Sequence, residues 1–244
     1  MGNFFNALTI SQGKDYKLTD YINLADGEKI TVQLLSPVES KFIHWMPTDG
    51  KRMPVKCLGL DNCPVCSSNR ELEGGKEDSE YIATQARYLT NVLDLTPMKE
   101  CPSCGTLNGT NMTTCANDEC KTILVDVEPA PIKQVRYLEG SWTMFKQIEA
   151  MEDLLGEYKI NQVPLSIKRT GSGGKTIYVV VPLTQEAGKY NPDEYKDDLF
   201  NLSEVGIILD YNEMVIVMNG GSFRAVMEAR RGNKKEEMDN IFSD

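Results

Sequence analysis

The sequence contains a single histidine, His44, among 244 residues. Histidine is the usual general acid or base, and no carboxylate pair or nucleophile takes its place, so an enzyme is the least favoured class. No apolar run approaches the roughly 18 residues that a membrane-spanning helix needs. The first residues lack a basic segment followed by an apolar core, so no secretory signal is expected. We therefore expect a non-catalytic, cytoplasmic protein without a membrane partner.

Seven cysteines accompany the histidine, and an odd count without a secretory signal argues against a disulfide framework. Seven thiols and one imidazole supply the eight ligands that two tetrahedral zinc ions require. Their spacing gives two sets, each with a Cys-Pro-x-Cys turn: His44, Cys57, Cys63 and Cys66, then Cys101, Cys104, Cys115 and Cys120. Neither set leaves an open position for water, so we predict two structural Zn²⁺ ions.

Other uses of these cysteines fit the pattern less well. A redox dithiol explains one Cys-x-x-Cys motif, but not two motifs with matched distal ligands. A zinc deaminase needs His-x-Glu, whereas Trp45 and Met46 follow His44. Scattered structural thiols remain as the alternative interpretation.

Short runs rich in apolar and β-branched residues predict a mainly β fold with a few helices. The predicted strands are 29–35, 41–45, 87–95, 122–127, 132–138, 205–211 and 214–218, with a hairpin over 163–181. Apolar residues at helical spacing from Trp142 to Leu155 predict the clearest helix, and 222–231 is a second. Several short strands, one helix after the third or fourth strand and a long basic hairpin favour an OB-fold barrel.

The tip of the predicted hairpin contains Gly-Gly-Lys-Thr at 173–176, which is similar to the end of a phosphate-binding loop. That loop needs a glycine where Arg169 stands, and a helix after Thr176, where β-branched residues follow instead. We therefore predict a turn between two strands.

The predicted organisation places both zinc sets inside one barrel. We expect an N-terminal arm over 1–29, an OB-fold core over 30–205, C-terminal strands and a helix over 206–231, and an acidic mobile tail over 232–244. Within the core, 44–66 is an inserted zinc subdomain with one histidine and three cysteines, and 97–121 is an extra zinc ribbon with four cysteines. So short a ribbon cannot build a core unaided, and its folding is expected to depend on zinc.

OB barrels bind single-stranded nucleic acid in a groove of cations and exposed aromatic rings, which hold phosphates and stack on bases. Basic and aromatic residues occur together at four places in the sequence. They are Trp45 with Lys51, Arg52 and Lys56; Arg87 with Tyr88; Lys133 and Arg136 with Tyr137; and Lys168 and Arg169 with Tyr178. The alternative is that the rings belong to the core and the charges to an ordinary solvated surface.

Five motifs occur in order: His44…Cys57…Cys63-Pro-Val-Cys66, Arg87-Tyr-Leu-Thr-Asn-Val-Leu, Pro129-Ala-Pro131, Val135 to Trp142, and the helix from Phe145 to Met151. Over residues 30–183 the chain thereby resembles the zinc-containing single-stranded DNA-binding proteins of T-even-type bacteriophages. The resemblance implies an OB fold with one zinc subdomain of a histidine and three cysteines, single-stranded DNA between the two, and DNA-facing strands at 87–88 and 136–137. The four-cysteine ribbon departs from the family, as does an N-terminus with Lys14 as its only basic residue among the first sixteen.

This resemblance implies a non-catalytic protein that coats and protects single-stranded DNA in phage replication, recombination and repair, in the host cytoplasm. The net charge of −10 does not oppose such binding, because the acidic residues cluster at 71–80, 186–198 and the tail. The alternative function is a zinc-ribbon (zinc-finger) adaptor that binds a replication or transcription protein.

The chain ends in an acidic segment that contains one aromatic residue. We interpret Asp239, Ile241, Phe242 and Asp244 as a docking segment for replication or recombination proteins. A frayed terminus without a partner is the alternative interpretation.

Overall fold

A computed structural model describes residues 20–22, 24–48 and 50–230. The predicted arm up to residue 19 and the predicted docking segment, Asp239 to Asp244, lie outside the described residues. The strands are β1 (Tyr21–Ile22), β2 (Lys29–Leu34), β3 (Glu39–Thr48), β4 (Lys51–Lys56), β5 (Thr84–Asp94), β6 (Pro97–Glu100), β7 (Leu107–Asn108), β8 (Ala130–Pro131), β9 (Gln134–Gly140), β10 (Leu165–Thr170) and β11 (Ile177–Pro182). The helices are α1 (Pro64–Glu71), α2 (Trp142–Met151) and α3 (Tyr211–Met218), and 223–230 is also helical. The prediction of a mainly β fold with a few helices is confirmed.

The chain forms two compact units. The first unit contains the described residues of 1–39 and 88–202, and the second contains those of 40–87 and 203–244. Each unit has its own apolar core. Within the described ranges, no helix has both the length and the apolar character needed to cross a bilayer.

The first unit is built on a mixed sheet with the strand order β1-β9-β5-β2-β10-β11. Its pairs are antiparallel except for the parallel pair of β1 with β9. Among the described residues this sheet does not close into a barrel. Val32, Val92, Leu138 and Leu165 form the core of the unit together with the buried side of α2.

The predicted hairpin over 163–181 is confirmed as β10 and β11, which pair from Leu165 with Pro182 to Thr170 with Ile177. Gly171 begins the tip with a φ of +82°, and a Cβ added there would lie 2.5 Å from the Lys175 carbonyl oxygen. The tip therefore requires glycine for its turn, and a strand follows it, as the turn prediction states.

The four-cysteine ribbon lies between β6 and β8 and adds a small sheet of order β7-β6-β8. The strand predicted over 122–127 is wrong, because this stretch makes only an isolated bridge between Thr114 and Ile123. Leu124 is instead fully buried against the cysteines, and the Lys99 ammonium donates to its carbonyl oxygen at 2.9 Å. Packing around the cysteines fixes this segment without a strand ladder.

The second unit contains the β3–β4 hairpin, the start of β5, α1, α3 and the helical residues 223–230. The strand predicted over 214–218 is wrong, because these residues belong to α3. Asp210 accepts from the Glu213 amide and the Glu213 carboxylate accepts from the Asp210 amide, which forms a capping box. Of the strand predicted over 205–211, only a bridge from Ile207 to Val55 remains.

Candidate metal centres and nucleic-acid interface

The first predicted ligand set comes together in the second unit. The ligand atoms of His44, Cys57, Cys63 and Cys66 all lie within 4.8 Å of one another. The Sγ atoms of Cys63 and Cys66 lie 3.3 and 3.6 Å from His44 Nε2, and those of Cys57 and Cys66 are 3.6 Å apart. A tetrahedral zinc with Zn–S of about 2.3 Å and Zn–N of about 2.0 Å requires S···N separations of about 3.5 Å and S···S separations of about 3.8 Å, and the observed distances agree with these to about 0.2 Å. The donor set therefore fits a zinc ion.

Local structure explains how these four side chains converge. Strand β3 turns His44 into the core, and Cys57 follows β4. Cys63 is the N-cap residue of α1, and Cys66 lies in the first turn of this helix. His44 Nδ1 lies 3.1 Å from Thr84 Oγ1, a hydrogen bond that orients the ring and leaves Nε2 for the metal. Burial lowers the pKa of His44, which favours the neutral imidazole that metals bind.

The second predicted ligand set comes together in the ribbon of the first unit. Its four Sγ atoms also lie within 4.8 Å of one another, with Cys101 and Cys120 3.6 Å apart and Cys104 and Cys115 3.6 Å apart. The Gly105 amide donates to the Cys101 carbonyl at 2.8 Å and closes the Cys-Pro-x-Cys turn. These separations fit a zinc site of four thiolates as well as the first set fits a site of one imidazole and three thiolates.

The thiols within each set differ in how they ionise, because the pKa is lowered for Cys63 and Cys104 and raised for Cys66 and Cys115. Burial raises the pKa of the Cys66 thiol to about 12, so this thiol keeps its proton at neutral pH until a metal displaces it. The hydroxyl and amide of Thr106 lower the pKa of the exposed Cys104 to about 6. All seven cysteines are free, as a pair of metal sites requires.

The strand that carries His44 also carries the candidate DNA contact Trp45. Side chains alternate along a strand, so His44 faces the core and Trp45 faces the opposite side. The β3–β4 register pairs Pro47 with Arg52 and Ile43 with Lys56, which places Arg52 and Lys56 on the Trp45 side. Lys51 is exposed at the start of β4, but its side chain lies on the side of the strand opposite to Trp45.

Strand β5 extends this surface. The Trp45 indole Nε1 donates to Gln85 Oε1 at 3.0 Å, and Arg87, two residues further along, shares the side of Gln85. Lys56 Nζ donates to the Ser203 carbonyl at 2.5 Å. The strand residues 41–48, 51–56 and 84–87 contain no acidic side chain. We call the surface formed by Trp45, Arg52, Lys56 and Arg87 the basic face.

Arg136, predicted as a DNA contact, lies instead in the interior of the first unit. Only 9 % of its surface is exposed. Its Nη1 lies 2.6 Å from Asp94 Oδ2, and its Nη2 donates to the Tyr21 carbonyl at 3.0 Å. Because its guanidinium charge is neutralised inside the protein, Arg136 does not belong to the contact set.

Tyr137, predicted as a stacking platform, is buried as well. Its ring lies 5.4 Å from that of Tyr21 and 5.6 Å from that of Phe200, between centroids. Asn91 holds the Phe200 backbone by donating to its carbonyl and accepting from its amide. The segment that contains Phe200 therefore covers Tyr137 and removes its ring from the candidate interface.

The remaining candidates on the first unit divide into exposed and packed side chains. Lys168 is exposed in β10, opposite Lys29 of β2, and Lys133 is exposed with its ammonium 5.8 Å from the centre of the Tyr190 ring. Arg169 is partly buried and donates to the Leu24 carbonyl. Tyr178 is partly buried against the core of the unit. Lys133 and Lys168 remain available to phosphates.

Both ligand sets and the basic face are thus defined by geometry alone. No family model and no curated protein matches this chain. The ligand separations and the basic face therefore carry the functional inference.

One aromatic residue was missed as a site candidate. Sequence spacing assigns Trp142 to the buried stripe of α2, but 49 % of its surface is exposed. The predicted contact Tyr88 packs against the core and places its ring 5.1 Å from that of Trp142. Trp142 is the first residue of α2, and the buried residues of this helix begin at Met144. Its position at the start of the helix is the sequence signal that could have indicated an exposed ring.

Proposed function

We propose that the protein binds single-stranded DNA without sequence preference, as the phage proteins that it resembles do. The observation that carries this proposal is the basic face. An aromatic ring beside three cations, on strand stretches 41–48, 51–56 and 84–87 that contain no acidic residue, combines a group that stacks on bases with groups that neutralise phosphates. Coating and protection of DNA strands during replication, recombination and repair follow from such binding and require no catalytic residue.

We also propose that an OB-type fold underlies the first unit. Strands β2, β5 and β9 pair in succession and β10 returns beside β2, which is a Greek-key order, with α2 before β10. OB folds are partly open Greek-key barrels that bind oligonucleotides with the loops after their first and fourth strands. The corresponding connections here are 35–83, which carries most of the basic face, and the hairpin tip at 171–176.

We infer that each ligand set holds one structural zinc ion. In the second unit the ion would cross-link β3, the end of β4 and the start of α1 through His44, Cys57, Cys63 and Cys66. In the ribbon the ion would stabilise a core that otherwise consists only of Leu124, Cys101 and Cys115 with Cys120 and Val127 packed against them. Each ion would thereby stabilise the fold around it and would have no catalytic role.

Elemental analysis is expected to find two zinc ions per chain in protein purified under reducing conditions, because both sets fit a saturated tetrahedral site. The variant Cys104→Ser should contain one ion, and the control Ser67→Ala should contain two. One ion or none in the wild-type protein would contradict the assignment of two filled sites.

Salt dependence is the direct test of the proposed function. With roughly four phosphate contacts, log affinity for oligo-dT should fall against log salt with a slope of about −3. Arg52→Ala should reduce this slope by about 0.7, and Trp45→Ala should leave it unchanged while weakening binding by about 1–3 kcal/mol.

Lys76→Ala, in the acidic loop, is the matched control and should bind as the wild type does. Fluorescence anisotropy of labelled oligo-dT measures each affinity, with duplex DNA of the same length as a competitor. Absence of salt-dependent binding to oligo-dT at low salt would rule out the proposed function.

The adaptor alternative is favoured by one observation on the ribbon. Ile123 and Val125 flank the buried Leu124 and are 72 % and 61 % exposed. Neighbouring exposed apolar side chains are a feature of protein-binding surfaces. If oligo-dT does not bind, the adaptor alternative expects that the double variant Ile123→Ser, Val125→Ser lowers the affinity for the replication or transcription protein that the ribbon would bind.

A further inference from the structure

Trp142 presents an exposed aromatic surface on the first unit. Its ring lies 5.1 Å from the ring of Tyr88, tilted by 38°, and Tyr88 lies 6.1 Å from the ring of Phe145. Phe145 is buried in the core. The indole therefore rests on the ring of Tyr88, which in turn packs on the buried Phe145, while about half of the Trp142 surface meets solvent. A supported ring of this kind loses little conformational freedom when a ligand stacks on it.

A cation lies directly against this ring. Lys146 is one helical turn after Trp142, and its ammonium is 4.5 Å from the indole centroid, within the range of a cation–π contact. The same ammonium lies 2.7 Å from Glu149 Oε2, in a pair whose side chains are 50 % and 62 % exposed. Both contacts are solvated and weak, so Lys146 can exchange them for another anion at little cost.

An aromatic ring and an adjacent mobile cation match the two parts of a nucleotide. Resting on the proposed function, we propose that Trp142 is a second base-stacking site, with Lys146 leaving Glu149 to pair with the phosphate of the stacked nucleotide. The ring accepts any base, because every base offers a π-face, and the ammonium recognises the phosphate as a point charge. This site is separate from Trp45, the only other tryptophan in the chain.

The two tryptophans allow each site to be observed alone. In the variant Trp45→Phe, only Trp142 contributes tryptophan emission, and oligo-dT is expected to quench it as a base stacks on the indole. Trp142→Ala should lower the affinity for labelled oligo-dT by about 5- to 150-fold without changing the salt slope, because stacking releases no counterions. Trp142→Phe keeps an aromatic ring against Tyr88 and should retain most of the affinity.

Variants of Lys146 and Glu149 distinguish the contribution of charge to the affinity from the contribution of base stacking. Lys146→Met should reduce the salt slope by about 0.7, since one phosphate contact is lost. Glu149→Gln removes the anion that competes for Lys146 and should raise the affinity by about 1.5- to 5-fold. Tyr211→Ala is the matched control, because Tyr211 is 54 % exposed at the first residue of α3, and it should bind as the wild type does.

The failures of the two proposals are distinguishable. If labelled oligo-dT binds Trp45→Phe but Trp142 emission does not change, this inference is wrong and the proposed function stands. A loss of affinity in Tyr211→Ala equal to that in Trp142→Ala would also overturn it, because the effect would then not be specific to this ring. If oligo-dT does not bind the wild-type protein at low salt, the proposed function itself fails.

Discussion

Replacing Cys63 with serine is expected to unfold the second unit while the sheet of the first unit stays folded. Cys63 and Cys66 belong to the same core as Met46, Met214 and Phe223, so this core forms around the candidate metal ligands. Structural zinc contributes roughly 10–16 kcal/mol in finger peptides, which is as large as the whole stability of a typical domain. Without the metal, the second unit loses more free energy than its remaining apolar contacts can replace.

The matched variant Cys101→Ser is expected to have a local effect. The ribbon core consists of Cys101, Cys115 and Leu124, with Cys120 and Val127 packed beside it, and the core of the first unit is a separate cluster. Loss of this zinc should therefore melt residues 101–127 and spare the mixed sheet. Binding of oligo-dT should be lost in Cys63→Ser, because β3 also carries Trp45, and should persist in Cys101→Ser.

Hydrogen exchange read by mass spectrometry distinguishes these outcomes segment by segment. Cys63→Ser should remove protection from β3, β4 and α3 and leave β10 and β11 protected, whereas Cys101→Ser should expose only the ribbon. Ser67→Ala serves as the control for an ordinary substitution beside the first set. Equal loss of protection in both units for both cysteine variants would contradict the expectation that the first ligand set stabilises the second unit and the second set stabilises only the ribbon.

Arg136→Ala is expected to lower the free energy of unfolding by about 3–5 kcal/mol and to leave the salt slope of DNA binding unchanged. The substitution leaves the Asp94 carboxylate, which is 1 % exposed, without its cationic partner. Replacing both partners, as in Arg136→Met with Asp94→Leu, should recover part of the loss, since no buried charge is then left unpaired.

Urea unfolding measures this effect, and Lys196→Ala is the matched control. Lys196 pairs with Asp193 at 2.9 Å, but both side chains are more than half exposed, so its removal should cost at most about 1 kcal/mol. A stable Arg136→Ala protein with a salt slope reduced by about 0.7 would contradict the buried position and return Arg136 to the DNA contacts.

Sequence reasoning succeeded where chemistry and spacing are local. The two ligand sets follow from the Cys-Pro-x-Cys turns and from the count of thiols against one imidazole. The β10–β11 hairpin follows from β-branched residues on both sides of a glycine-rich tip. In each case a few neighbouring residues determine the conformation, so the pattern is readable without tertiary contacts.

Prediction failed where composition outweighed a local capping signal, and where distant segments decide the outcome. The run Met214 to Met218 suits a strand by composition, and only the capping pair Asp210 and Glu213 marks it as a helix. Arg136 and Tyr137 have the composition of a DNA-binding strand. Their burial depends on Asp94 and on Phe200, at sequence separations that no local pattern reveals.

His44 and Trp45 are neighbours in β3 and point to opposite sides of it. Because side chains in a strand repeat every two residues, a slip of one position would turn the indole toward the thiols and the imidazole toward solvent. A zinc ion bound at His44 would penalise that slip, and it would therefore fix the strand register in addition to stabilising the unit. Trp45 emission should then respond to zinc loading even without DNA, which gives the protein an internal fluorescent reporter of its own metal occupancy.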